Sequence, residues 1–126
     1  MDAASVAQIQ RWPWPRSNYA GVVTALDAAG ARSIIFDVDF SSASDPVEDA
    51  TLARSLNKAA AQIILPTFAQ SESFGSDRQI DALPIATLRQ HASLASVSVI
   101  PDSDGVVRNM PLGTITADVP RPSLSA

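Results

Sequence analysis

Apolar side chains first recur at helical spacing between residues 17 and 30, SNYAGVVTALDAAG, where Tyr19, Val22, Val23 and Leu26 fall on one face. Ser17 is a favourable N-cap, and Gly30 suits the left-handed position that closes helices. The pattern then turns continuous. Ile34, Ile35 and Phe36 form a short apolar run, which predicts a buried strand followed by the loop SSASD. A second helix is predicted over residues 45–62. Asp45 can cap it, Pro46 stands at its first helical position, and Glu48 falls where a capping-box acid belongs. Leu52, Leu56, Ala59 and Ala60 make its buried stripe. QIILP at 62–66 is a second buried strand, stopped by Pro66. Helix–strand–helix–strand order implies a parallel strand pair joined by a crossover.

Residues 69–82 are polar and Gly/Ser-rich and predict an exposed loop. Residues 83–92 predict a short helix opened by Pro84. SVSVI at 96–100 alternates as a half-buried strand does, with Val97 and Val99 on one face. PDSDG predicts a turn, and GVVRNM and LGTITA, on either side of Pro111, an antiparallel meander. The predicted fold class is α/β: a mixed sheet of parallel strands with crossover helices, then a C-terminal antiparallel meander, with helices packed on it.

Composition narrows the function classes. The 126 residues suit one domain, and 46% hydrophobic with 17% charged residues is an ordinary globular balance. Net charge is −4 and the basic residues are scattered, so a nucleic-acid partner has no electrostatic support and none is expected. There are no cysteines, which excludes disulfides and thiolate chemistry and leaves cytoplasm and periplasm both open. No segment approaches the roughly 20 apolar residues of a membrane span. Both ends read as cut from something longer, so the expectation is a single-domain fragment of a larger protein.

Three constellations invite chemistry. FDVDF sets Asp37 and Asp39 at the carboxyl end of a predicted strand, where open α/β sheets place ligands. This D-x-D spacing resembles the nucleophile strand of haloacid-dehalogenase phosphatases, which would imply a magnesium-dependent phosphatase using both acids. The alternative is that both acids bond to nearby backbone amides. DSDG at 102–105 resembles the start of a calcium loop, but Val106 and Val107 follow where ligands belong, so a turn is expected and no metal site. His91, the single histidine, has no nucleophile or orienting acid in a motif around it. No glycine spacing fits a phosphate loop, and no cofactor is expected.

The most distinctive stretch is RWPWPRS at 11–17. Each proline holds the residue before it extended and removes a backbone donor, so Trp12 and Trp14 ride on a stiff strap leading into the first helix. Their indoles can plug the edge of a core or present flat faces to a ligand. Arg16 can stack on Trp14 or reach an acid on the sheet edge.

In order and spacing, these pieces resemble the type-2 CHASE domains, extracytoplasmic sensor modules of bacterial signalling receptors. The matching features are D-x-x-S from Asp2 to Ser5, WPWPRS at 12–17, AAGAR at 28–32 and I-x-F-D from Ile34 to Asp37, then Phe40. They continue with DATLARSL at 49–56, Leu65-Pro66, DSDGVVRNMPL at 102–112 and Pro122-Ser123-Leu124. The resemblance implies a periplasmic domain of an inner-membrane receptor that senses an unknown small molecule, works as a homodimer and has no enzymatic activity of its own. It implies an output module elsewhere: a diguanylate cyclase, phosphodiesterase, histidine kinase, adenylate cyclase or Ser/Thr kinase. A ligand-free module that transmits dimer geometry is a further alternative. The family has an apolar strand just before its D-x-x-S, whereas this chain begins at Met1-Asp2; a missing strand would leave a sheet edge as a groove or a dimer contact. The expected ligand site is the rim formed by strap and strand end: Trp12, Trp14, Arg16, Asp37 and Asp39.

Overall fold

The computed structural model describes residues 13–71, 79–99, 101–116 and 118–125. Trp12 and the Asp2–Ser5 motif lie outside them. Helix α1 spans Arg16–Ala28 with Pro15 at its N-cap, so it begins before Ser17, the predicted cap. Ser17 is already inside the first turn, and its amide donates to Glu48 Oε2 at 2.6 Å. The helix closes as predicted at Gly30, with φ +82°. There the Gly30 amide bonds the Asp27 carbonyl and the Ala31 amide bonds the Leu26 carbonyl, a Schellman arrangement that only a residue tolerant of positive φ completes cheaply.

The buried face of α1 differs from the predicted one. Arg16, Ala20 and Val23 point inward with Tyr19 packed beside them, while Val22 and Leu26 are 49% and 42% exposed. Polar anchors at both ends set this rotation. Arg16 pairs with Asp49, and Asp27 Oδ1 accepts from the Ala61 amide at 2.9 Å. Apolar periodicity carries no trace of either contact.

Strand β1 (Ser33–Ile35) pairs in parallel with β2 (Gln62–Ser71), Ile34 opposite Ile63 and Ile35 opposite Ile64. Between them α2 (Pro46–Lys58) makes the crossover. Asp45 caps α2 as predicted, accepting from the Val47 and Glu48 amides. The helix ends before residue 62, with Ala60 exposed and Leu52 and Leu56 buried. Ile34, Phe36, Ile63 and Leu65 face Val23, Leu52, Leu56 and Leu88 to form the core. Ile35 points to the other face and is 51% exposed, so β1 is buried on one side only.

Pro66 does not stop β2. The carbonyl of Thr67 accepts from Val97 on the β4 side, so by alternation the Pro66 nitrogen faces the opposite edge, past the end of β1, where no donor is required. The predicted 69–82 loop is partly strand, because β2 runs to Ser71 and pairs antiparallel with β3 (Gln79–Ala82). Residues 72–78 lie outside the described residues. The next helix, α3, shrinks to Ala86–Arg89, preceded by the buried Pro84. Strand β4 is Ser93–Ser96, parallel to β2 and starting three residues before the predicted position; Val99 is exposed.

The C-terminal pairing is antiparallel, but GVVRNM is not a strand. β5 (Gly113–Thr116) pairs instead with β6 (Val119–Pro122), turning through Asp118 at φ 59°. Leu124 donates to the Ser96 carbonyl at 2.8 Å, tying this ribbon to β4. The architecture is α/β with a mixed sheet: β2 joins β1 and β4 in parallel and β3 antiparallel, and the β5–β6 ribbon stands beside it.

Candidate functional site

The chain leaves β1 at its carboxyl end and wraps from Asp37 to Asp45 before α2 begins. This is where parallel sheets open a crevice. A cavity of about 750 Å³ lies there. The strap residues Pro13, Trp14 and Pro15 form one wall, Arg16 and Tyr19 of α1 a second, and the 37–45 loop with Val47 and Glu48 the rest. Four of the five expected site residues, Trp14, Arg16, Asp37 and Asp39, therefore line one cavity; Trp12 lies outside the described residues.

Their environments differ. Arg16 is 6% exposed and faces inward. Its Nη2 donates to the Ser42 carbonyl, its Nη1 lies 3.1 Å from Asp49 Oδ1, and its guanidinium sits 5.3 Å from the Phe40 ring centroid. The Nη1–Asp49 contact has ion-pair distance without hydrogen-bond alignment. Asp49 Oδ2 also accepts from the Ser44 amide at 3.1 Å, so the pair pins the 42–44 loop to both helices. The expected acid for Arg16 is thus on a helix rather than on the sheet edge.

Trp14 is partly buried, and its ring lies 6.2 Å from Tyr19 at 45°. Tyr19 meets Phe40 edge-on at 5.5 Å and Phe36 at 6.3 Å, so the indole ends an aromatic stack that runs into the core. Burial raises the Tyr19 phenol above its ordinary range, partly offset by the Arg16 charge. Asp37 and Asp39 are exposed at the rim. Asp39 Oδ1 accepts from the Ser41 amide at 2.7 Å, as a loop-turning acid does.

Sequence inspection missed Tyr19, Phe40, Asp49 and the true partner of Glu48. Tyr19 reads as one residue of an apolar helix face and Phe40 only as part of a family match, and no local pattern links Arg16 to an acid 33 positions away. Among the described residues, no three His, Cys, Asp or Glu side chains gather to hold a metal ion. Among the described residues, the one cation lining the cavity is committed to Asp49 and Ser42, an arrangement unlike a phosphate clamp.

The remaining motifs lie elsewhere. DSDG is a turn: the Gly105 amide bonds the Asp102 carbonyl at 2.8 Å with φ +79°. Arg108 binds Asp102 at 3.1 Å and Asp104 at 2.7 Å. His91 borders a separate hollow of about 450 Å³ between α2 and α3, its Nε2 3.1 Å from Gln90 Nε2.

The model of the CHASE2 domain matches residues 1–126, the whole chain. The chain belongs to the CHASE2 family. CHASE2 domains are extracytoplasmic sensor domains of signalling receptors. Comparison with curated proteins and with solved structures gives no match. No helix among the described residues of this CHASE2 domain is long and apolar enough to cross a membrane. Within its WPWPRS stretch, Pro13, Trp14, Pro15 and Arg16 line the cavity.

Proposed function

We propose that this CHASE2 domain perceives a small molecule in the cavity between the Trp-Pro strap and the end of β1, as the periplasmic part of a membrane-anchored receptor. The observation that carries this reading is the 750 Å³ cavity, aromatic on one side and acidic at its rim, at the carboxyl end of a parallel strand. Trp14, Asp37 and Asp39 would touch the ligand, while Arg16 would hold the wall in place. The same cavity touches the first turns of both long helices, so an occupant that moves the 37–45 loop acts on the Arg16–Asp49 and Ser17–Glu48 contacts between them.

The receptor would act as a homodimer, with its output in another module: a diguanylate cyclase, phosphodiesterase, histidine kinase, adenylate cyclase or Ser/Thr kinase. Support for a second copy comes from β1, which pairs only with β2 among the described residues and leaves Ile35 half exposed. No turnover is assigned to this domain.

Thermal-shift screening of small metabolites tests the reading. At least one compound should raise the melting temperature of the wild-type chain and lose that effect in Trp14→Ala. Hits that survive the substitution unchanged make the strap purely structural. A stable dimer that no compound shifts would instead favour a ligand-free module transmitting dimer geometry.

A further inference from the structure

From the charge balance of the cavity, and resting on the binding role just proposed, we infer that its ligand is an organic cation: an amine or quaternary ammonium with an apolar portion. Two helices, α1 and α2, turn their N-terminal ends to this cavity, which would ordinarily favour an anion. Here those donors are already taken by the chain's own carboxylates. Glu48 holds the Ser17 amide at 2.6 Å, and Asp45 holds those of Val47 and Glu48 at 2.8 and 3.3 Å. Asp39 holds the Ser41 amide at 2.7 Å. The guanidinium of Arg16 is buried against Asp49 and the Ser42 carbonyl. An entering anion would find these donors occupied and, among the described residues, four carboxylates around it, from Asp37, Asp39, Asp45 and Glu48.

A cation meets the opposite situation. Asp37 and Asp39 stand exposed at the rim, and a partly buried indole borders the same cavity. Aromatic faces attract cations through the ring quadrupole, and carboxylates add direct charge attraction. Phe40 already takes the Arg16 guanidinium on its face at 5.3 Å, and the Trp14 and Tyr19 rings line the same cavity. The volume admits a small amphiphilic amine.

The test titrates the 126-residue chain with phenethylamine, cadaverine and choline, using tryptophan fluorescence and calorimetry. Phenylacetate and 2-phenylethanol serve as anionic and neutral counterparts of the first probe. At least one cation should bind saturably, roughly tenfold tighter than either counterpart, and weaken as salt rises. Asp37→Asn with Asp39→Asn should cut that affinity by about fivefold or more with the circular dichroism spectrum unchanged, since both acids are exposed. Trp14→Phe, which keeps an aromatic face, should retain more affinity than Trp14→Ala. Tighter binding of phenylacetate or 2-phenylethanol, lost in Trp14→Ala, would overturn the cation assignment and leave the binding role standing. Cation binding indifferent to both aspartate substitutions would also overturn it. Absence of saturable binding by all five compounds, with no hit in the metabolite screen, would overturn both.

Discussion

Arg16 is where one side chain decides most. A guanidinium beside tryptophans suggests a ligand contact in the sequence, yet it is buried and ion-paired with Asp49 at 3.1 Å. Removing one partner of a buried pair strands the other charge, so Arg16→Met should destabilise the chain by about 3 kcal/mol or more in urea unfolding. Adding Asp49→Leu should recover much of that loss, because the stranded carboxylate is gone. Full additivity of the two losses would mean that the pair is not coupled. Asp104 gives a second, exposed case. Its hydrogen bonds with Arg108 hold its carboxyl below the usual aspartate range and raise Arg108. A lowered folded pKa means that its small contribution is present at neutral pH and lost as pH falls through that lowered value. An NMR titration should therefore place Asp104 below a free aspartate, and Arg108→Ala should raise it toward the ordinary value, the Val106 amide still holding it somewhat down.

At the scale of elements, the chain states existence better than orientation. The continuous run Ile34–Phe36, the Pro46 start with its Asp45 cap and the Gly30 stop were all legible, because each rests on neighbouring residues. The rotation of α1 was not, since Arg16–Asp49 and Asp27–Ala61 contacts set it from far along the chain. The same holds for β3 and for β5 with β6: strand partners depend on register, which polar segments such as 69–82 do not announce. Glu48 shows the limit most clearly. It sits at a capping-box position of α2, but its carboxylate caps α1 through the Ser17 amide. Glu48→Ala should cost about 1 kcal/mol, while Glu48→Gln, which keeps an acceptor, should cost less, measured by chemical denaturation. Equal costs would show that the amide contact contributes nothing beyond charge.

At the scale of the molecule, the strap, the end of β1 and the first turns of both helices meet at one cavity, and this convergence was only half legible. Trp14, Asp37 and Asp39 stood out because a Trp-Pro pair and acids at a strand end are local signals. Tyr19 and Phe40 did not, because an aromatic residue at an apolar position looks the same whether it fills a core or walls a cavity. The parallel β1–α2–β2 unit brings them together, as the alternation of helix and strand predicted. In the function proposed above, the CHASE2 domain receives its signal in this cavity. Amide chemical shifts of the labelled 126-residue chain, followed while the strongest thermal-shift hit is added, test it most directly. Perturbations concentrated at residues 13–19 and 37–48 are predicted. Saturable perturbations confined to the β5–β6 ribbon or to the hollow around His91 would contradict it.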